Sequence, residues 1–177
     1  VGTVKGAFLL RADDRRERWN AEGPLFKGWK VTTAARSPKG RMLLALASDV
    51  YGAGLQASAD LRVWKPIENG PKHPAGGSRK TNQIWTLRAA GERLYAGIDE
   101  AALFASDDDG ATWKAVDALN EHPTRASWFP GAGGLCLHSI LVDPRDPRRI
   151  WCGISAVGVF RSDDAGASWQ GKNRGVP

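Results

Sequence analysis

Cysteine is scarce in this 177-residue sequence, which has only Cys136 and Cys152. Both lie in apolar segments that we expect to form neighbouring strands several residues out of register, so a disulfide between them is not expected. Their spacing matches no zinc-ligand motif, and we predict no metal and no cofactor. Unpaired thiols are typical of a reducing compartment. We therefore predict a cytoplasmic protein, or a secreted one if a leader was removed before Val1.

Long apolar runs are also missing. None reaches the roughly 18 residues that a membrane-spanning helix needs, so a membrane partner is not expected. The net charge of +6 permits an acidic partner. However, three acidic residues interrupt the most basic stretch, residues 11–18. Aromatic and basic residues do not alternate as they do in proteins that bind single-stranded nucleic acid, so we do not expect nucleic acid as a partner.

Glycine and tryptophan, by contrast, are abundant, with 21 and 8 residues. Two octets are nearly identical: SDDDGATW at 106–113 and SDDAGASW at 162–169. Each follows two short apolar segments separated by a turn, the pattern of a β-hairpin. Two weaker copies precede them, so that four units end at Trp19, Trp64, Trp113 and Trp169. Four short strands per unit at this period indicate an all-β protein, a β-propeller of four-stranded antiparallel blades.

The repeats predict a single β-propeller domain over residues 1–177, with blades at about 1–23, 31–70, 83–119 and 135–175. The first unit starts with the end of its second strand, at VGT, and its innermost strand is missing. About three and three-quarter blades, a partial ring, are therefore expected. Because a ring closes only when its terminal blade is completed, we expect a fragment of a larger propeller. Its open edges would be completed by the rest of the chain or by another copy.

Both octets fit the pattern S-x-D-x-G-x-[TS]-W. In turns, Asp and Ser side chains form hydrogen bonds with nearby backbone groups, and Gly permits a positive φ. A calcium loop of the EF-hand type needs acidic residues at a spacing that neither octet has. We therefore predict that the octets are structural turns, each covered by its Trp ring. The structural residues are Ser106, Asp108, Gly110, Thr112 and Trp113, and Ser162, Asp164, Gly166, Ser168 and Trp169.

The octet pattern resembles the Asp-box of the BNR-repeat β-propellers, and the repeat resemblance covers essentially the whole chain. That group includes sialidases, xyloglucan hydrolases, sortilin-type receptors and a photosystem assembly factor. It also includes bacterial sialidase-like or YVTN-BNR-like repeat proteins of unassigned activity, which this chain resembles most through KGAFLLRADDR, LFASDDDGATW and GGLCLHSILVDPRDP. The resemblance implies that the octets lie on the rim away from the functional face. The early copies depart from the pattern, with Arg62 at the Gly position of SADLRVW and Arg11 at the Ser position of RADDRRERW.

Ligands of propellers normally bind on the face that carries the loops between blades and between the second and third strands of each blade. Two connections that reach this face are long, at about 65–83 and 114–135, and both hold His beside Pro. Loops of this length are usually functional. The candidate ligand-binding residues are Trp29, Tyr51, His73, Arg79, Asn82, Asp99, His122, Arg125, Trp128 and His138.

Several candidates also have a structural interpretation. Trp29 and Trp128 could fill gaps between blades. His138 lies in an apolar strand and could be a hydrogen-bonded core histidine. Asp99 and Glu100 could be turn residues rather than a catalytic pair. The sequence alone leaves these alternatives open.

Two kinds of catalysis known in such propellers find little support. Sialidase chemistry needs an arginine cluster and a nucleophilic Tyr paired with a carboxylate. Tyr95 alternates like a buried strand residue, and the Arg-Ile-Pro signature that accompanies the sialidase arginines is absent. Xyloglucan hydrolysis needs two carboxylates across a wide cleft. Asp99 or Glu100 could be one, and the second cannot be named, so the catalytic residues remain unknown.

We therefore predict a non-catalytic scaffold that binds a small molecule, a glycan or a protein through its loop face. One alternative is a glycoside hydrolase, sialidase-like or xyloglucanase-like, whose active site is completed by blades outside this chain. Another is an assembly factor that meets an acidic partner.

Overall fold

Strands in four antiparallel sheets dominate the computed structural model, which describes residues 1–175. Val176 and Pro177, the end of the predicted domain, lie outside the described residues. Sheet 1 contains β1 (Gly2–Thr3), β2 (Gly6–Ala12) and β3 (Trp19–Leu25). Sheet 2 contains β4 (Lys30–Arg36), β5 (Met42–Ser48), β6 (Gly52–Ser58) and β7 (Lys65–Ile67).

Sheets 3 and 4 repeat the order of sheet 2. Sheet 3 contains β8 (Ile84–Ala90), β9 (Arg93–Ile98), β10 (Ala102–Ser106) and β11 (Lys114–Ala115). Sheet 4 contains β12 (Leu137–Val142), β13 (Ile150–Ile154), β14 (Gly158–Ser162) and β15 (Gln170–Gly171). The short helix α1 (Asp117–Asn120) and a 3₁₀ turn (Arg125–Ser127) lie in the connection between these sheets. Three four-stranded sheets and one three-stranded sheet confirm the predicted all-β architecture of about three and three-quarter blades.

The strand that sheet 1 lacks is the innermost one. On β9, the second strand of sheet 3, a Cβ at Gly97 would collide with the carbonyl oxygen of Leu137 on β12, the innermost strand of sheet 4. A Cβ at Gly2 would meet the carbonyl oxygen of Val31 on β4 in the same way. β1 therefore occupies a second-strand position, and within residues 1–175 no strand takes the place inside it.

The hydrophobic core lies between neighbouring sheets, as three separate clusters. The strand β5, with the sequence MLLALAS, is almost entirely apolar because both of its faces are buried. Successive side chains of a strand point to opposite faces, so Leu44 packs towards sheet 1 and Leu43 towards sheet 3. In the described part of the chain, no core cluster joins sheet 1 to sheet 4.

The two complete octets connect the third and outer strands of sheets 3 and 4 through the same hydrogen bonds. In the first, the Ser106 hydroxyl donates to Asp108 at 2.8 Å and accepts the Gly110 amide at 2.8 Å. Asp108 accepts the Thr112 amide at 2.8 Å and its hydroxyl at 2.6 Å, and the Trp113 indole donates to the Gly110 carbonyl at 3.1 Å. The octet at 162–169 repeats these five bonds at 2.7, 2.8, 2.9, 2.6 and 3.1 Å.

The three consecutive aspartates of the first octet point to separate partners. Asp107 forms an ion pair with Arg93 of its own sheet at 2.6 Å, and Asp108 binds within the turn. Asp109 crosses to sheet 2, where it pairs with Arg41 at 2.8 Å and accepts the Lys39 amide at 2.9 Å. The octet therefore fastens its own hairpin and also joins neighbouring sheets, which supports the predicted structural role.

The two early copies keep the acidic residue and lose other contacts. Asp60 accepts the amides of Arg62 at 2.8 Å and Val63 at 2.9 Å, but the Trp64 indole N–H is buried and has no hydrogen-bond partner within residues 1–175. In the first copy Asp13 accepts the Glu17 amide at 2.9 Å. The altered spacing thus preserves the hydrogen bonds from the turn to its Asp and changes the hydrogen bonding of the closing Trp indole.

Three further expectations can be compared with the fold. Cys136 and Cys152 are both free and buried, and Cys152 pairs with Ile140 across the sheet rather than with Cys136. Tyr95 is buried, as its alternation predicted. Among the described residues, no helix is long and apolar enough to cross a bilayer.

Candidate functional site

The loop face lies at the opposite end of the sheets from the octets, because strands alternate in direction within each blade. It consists of the crossings 26–29, 68–83 and 116–136 and of the turns 4–5, 49–51, 99–101 and 155–157. All ten predicted site residues lie on these segments or beside them, but the structure divides them among several groups.

A cleft of about 580 Å³ opens on this face, with walls from sheets 1, 2 and 3. It brings together two of the predicted residues, Asn82 and Asp99. The other polar and aromatic side chains of its lining were not among the candidates: Lys30, Ser48, Asp49, Gln83 and Trp85.

Asp99 anchors the crossing that forms one wall of the cleft. One of its carboxylate oxygens accepts the amide hydrogens of Asn82 at 2.9 Å and Gln83 at 2.8 Å. The Asp99 amide in turn donates to the Gln83 carbonyl at 3.2 Å. Asp99 therefore holds the end of the 68–83 crossing against the turn at 99–101, and this fixes the wall of the cleft.

Trp85 is the aromatic residue of the cleft that the sequence did not reveal. Its side chain is 36% exposed on β8, between the buried residues Ile84 and Leu87. The ammonium of Lys30 lies 6.0 Å from the Trp85 ring centroid and donates to the Gln83 side chain at 2.5 Å. Trp85 belongs to the segment IWTLR of β8, and nothing in the sequence showed that its ring is exposed.

Trp85 also occupies a position that recurs in the fold. The pairing register of the innermost strand shifts at the same place in sheets 2, 3 and 4, and the residues at the shift are Thr32, Trp85 and His138. His138 is exposed, and its Nδ1 lies 2.7 Å from the Ser139 hydroxyl. The interpretation of His138 as a buried core histidine is therefore wrong.

A second aromatic group lies beside the cleft on the turn at 49–51. The rings of Trp29 and Tyr51 stack with centroids 5.7 Å apart and planes at 27°. Tyr51 is 78% exposed, while Trp29 also packs against the core between sheets 1 and 2. The pair borders a small hollow of about 190 Å³. Trp29 thus helps to fill the gap between sheets 1 and 2, and its role in ligand binding stays a prediction.

Arg79 and Arg125 lie in a third group above sheet 3. Arg79 pairs with Glu121 at 3.0 Å. The Arg125 guanidinium donates to the carbonyls of Ala101 at 2.5 Å and Glu100 at 3.0 Å, and it stacks 4.7 Å from the Trp128 ring centroid. Burial and the nearby Arg79 lower the pKa of Arg125. These contacts tie the two long crossings to the turn at 99–101.

Trp128 and His122 belong largely to the packing between sheets 3 and 4. Trp128 is only 8% exposed and joins the core cluster, and its ring lies 5.2 Å from that of Phe160. Its indole donates to the Thr124 hydroxyl at 3.0 Å, and His122 stacks on it at 6.4 Å. The structure therefore places Trp128 in the core, beneath the loop face.

His73 is buried inside the 68–83 crossing. Its amide donates to the Thr81 hydroxyl at 2.9 Å, and its ring meets Phe104 edge-on at 6.4 Å. The ring Nε2 is buried without a hydrogen-bond partner among the described residues. Burial, followed by the positive charge of Arg79, lowers the pKa of His73.

Comparison with known proteins supports the architecture. A GH74 enzyme from Niastella koreensis is similar in structure, with a TM-score of 0.65, 19% identity and 96% of this chain covered. A GH74 xyloglucanase from Xanthomonas campestris has a TM-score of 0.61, 18% identity and 89% of this chain covered. YCF48, in a structure with a D1 peptide, has a TM-score of 0.62, 16% identity and 99% of this chain covered.

The chain has a β-propeller fold. It spans only 27%, 25% and 51% of those three chains, respectively. No protein-family model and no curated protein matches the sequence. At these identities the likeness shows the fold alone, and both hydrolases and a peptide-bound propeller are among the similar structures.

Proposed function

We propose that this chain is a non-catalytic propeller scaffold that binds a protein segment through its loop face, with the cleft at the centre of the binding site. The observation that carries the proposal is the cleft itself. It runs across three sheets, exposes the Trp85 ring, and has its wall held rigid by Asp99. Rigid aromatic residues beside polar groups are typical of recognition surfaces.

The carboxyl groups with a lowered pKa are held by hydrogen bonds and ion pairs in turns, and they lie outside the cleft. The carboxyl groups whose pKa is shifted lie in the octets and in the turn at 143–149, on the opposite rim, and each is lowered: Asp60, Asp108, Asp109, Asp143, Asp146, Asp163 and Asp164.

The nature of the ligand is the finer part of the proposal. YCF48 has been solved with a D1 peptide, and 99% of this chain matches that fold. The net charge of +6 favours a peptide with acidic residues. The octet hydrogen bonds support the further proposal that the chain is an Asp-box propeller.

An array of 15-residue peptides of varied charge, with xyloglucan oligosaccharides as the second probe, tests the proposed ligand class. We expect the unmodified chain to bind a subset of acidic peptides. Trp85→Ala should weaken that binding at least tenfold and move the melting temperature by less than about 2 °C, because Trp85 is partly exposed. Trp19→Ala is the matched control, since Trp19 is exposed on the octet rim. Equal peptide binding by the Trp85 variant would contradict the proposed site.

One observation favours a second candidate, a glycoside hydrolase. Asp49 lines the cleft together with Asp99 and supplies the second carboxylate that the sequence could not name. Two carboxylates flanking a cleft are the minimum for glycoside hydrolysis. Release of reducing ends from xyloglucan, abolished by Asp49→Asn and unchanged by Asp14→Asn, would establish this alternative against the scaffold.

A further inference from the structure

Sheet 3 packs against sheet 4 through a set of residues on its second and third strands. The corresponding positions of sheet 4, on the face that points away from sheet 3, carry a similar set. β9 follows the pattern RLYAG, with Arg93, Tyr95 and Gly97, and β13 follows RIWCG. The register is the same in both sheets: Gly97 pairs with Leu103 of β10, and Gly153 pairs with Val159 of β14. The receiving face of sheet 4 is defined here as Arg149, Trp151, Gly153 and Val159.

In sheet 3 the corresponding residues hold sheet 4 in place. Gly97 leaves room for Leu137 of the incoming inner strand. The Tyr95 hydroxyl donates to the Ala165 carbonyl at 2.8 Å, and Arg93 donates to the same oxygen at 3.3 Å. The apolar surface under these contacts is closed, since Tyr95 and Leu103 are 1% and 0% exposed.

The arginine contact also occurs one sheet earlier. Arg41 of sheet 2 occupies the position of Arg93 and donates to the backbone carbonyl of Asp109 in the octet of sheet 3. Asp109 and Ala165 are the non-glycine left-handed residues of their octets, with φ of 62° and 60°. Sheets 2 and 3 therefore each bind the backbone carbonyl of a left-handed residue in the next octet with an arginine at the start of the second strand.

Sheet 4 has a similar receiving face, but no sheet formed by residues 1–175 packs against it. Arg149 pairs with Asp163 at 2.7 Å, as Arg93 pairs with Asp107, and its other contact is to Asp143 at 3.3 Å. Trp151, Gly153 and Val159 are half-buried, where their counterparts in sheet 3 are fully buried. The atoms nearest to a Cβ at Gly153 belong to His138 and Ser139 of the same sheet.

We propose that the receiving face of sheet 4 binds a further complete blade that carries an octet. Its innermost strand places an aliphatic side chain over Gly153, as Leu137 lies over Gly97, and its octet offers the left-handed carbonyl to Arg149. The similar propellers are two to four times longer than the part this chain matches, which leaves room for such a blade.

Sheet 1 of a second copy does not fit this description. It lacks the innermost strand that would supply the aliphatic residue. The carbonyl of Arg16, the left-handed residue of its turn, already accepts the Trp19 indole at 3.1 Å. The occupant is therefore a complete blade and not a head-to-tail dimer of this chain.

Extended chains test the proposal. In one, residues 116–175, which follow the outer strand of sheet 3, are joined directly after Gly171, the corresponding position in sheet 4. In another, residues 67–116, which carry sheet 3, are joined at the same place, so that the result does not depend on one sequence folding. Both are made with Val159→Cys, and maleimide labelling of that thiol is followed by mass spectrometry in parent and extended chains.

We expect labelling at position 159 to be at least tenfold slower in an extended chain than in the parent. Gly153→Val should restore the parent rate, because its side chain would occupy the space needed by the incoming strand. A Val63→Cys thiol, on the octet rim and exposed, should label equally in every chain. Equal labelling at position 159 in the parent and both extended chains would overturn the proposal. So would a parent dimer, detected by sedimentation, that Gly153→Val dissociates.

Discussion

The octet rim and the loop face lie at opposite ends of the same sheets, yet they are built differently. On the rim, the same five hydrogen bonds recur at 106–113 and 162–169, and the polar side chains are satisfied within the turn. On the loop face the crossings differ in length and sequence, and rings such as Tyr51 and Trp85 stay partly exposed. The repeated bonds fasten the hairpins of sheets 3 and 4 in the same way, whereas the connections on the loop face differ from sheet to sheet.

Removing an octet carboxylate should have the largest effect on stability. Asp108→Ala is expected to lower the free energy of unfolding by about 1–3 kcal/mol, because three hydrogen-bond donors of the turn lose their acceptor. Denaturant unfolding measures the change. Asp107→Ala is the control, since its ion pair with Arg93 is exposed and should cost less than about 1 kcal/mol. Equal losses of unfolding free energy in the two variants would contradict the idea that the turn hydrogen bonds of Asp108 stabilise the fold more than the surface ion pair of Asp107.

Acid should lower the stability of the octet turns, because their aspartates lose their charge. Hydrogen bonds from Ser168 and Ser162 lower the pKa of Asp164 to about 2, and those from Thr112 and Ser106 lower the pKa of Asp108 to about 2 although burial opposes them. A lowered carboxyl pKa stabilises the fold above the ordinary value of 3.8, and this contribution is lost as pH falls towards 2. Unfolding in urea at pH 5 and pH 2.5 should show the loss, and Asp164→Asn should reduce it.

Replacing the closing tryptophans by Phe should change the stability of the fold in different directions at Trp113 and Trp64. Trp113 donates its indole N–H to Gly110 at 3.1 Å, so Trp113→Phe should cost about 1 kcal/mol. The Trp64 indole N–H is buried and has no hydrogen-bond partner in the described part of the chain, so Trp64→Phe should be neutral or slightly stabilising. Thermal unfolding of the two variants tests the comparison, and a larger loss at Trp64 would show that its ring shape matters more than its N–H.

The smallest effect is expected on the loop face, at a different pH. Burial and then Arg79 lower the pKa of His73, with Arg125 acting in the same direction and Glu100 and Asp99 opposing it. A buried neutral His stabilises the crossing above its ordinary pKa of 6.5, and this support declines as pH falls below 6.5. The protection factors of amides in residues 73–83, which correct for the slower intrinsic exchange at low pH, should fall between pH 7 and pH 5, while those of the octets stay unchanged. His73→Phe should remove this pH dependence, and protection factors that still fall in that variant would assign the effect to another group.

The sequence predicted more of the fold than of the site. The missing inner strand of sheet 1 and the octet turns could be read from repeats, because each depends on residues close together in the chain. His138 was harder, since an apolar strand says nothing about a side chain at a register shift. Trp85 was missed for the same reason.

The sequence by itself determined the strands, their order in the blades and the position of the octets on one rim, because alternation and turn chemistry act locally. Only the tertiary structure decided which side chains meet between sheets. It placed Asp109 on Arg41, 68 residues away, and Trp128 beneath the loop face. It also brought Lys30, Asn82 and Asp99 into one cleft. Contacts of this kind depend on how neighbouring sheets stack and on the path of each crossing, which no local pattern encodes.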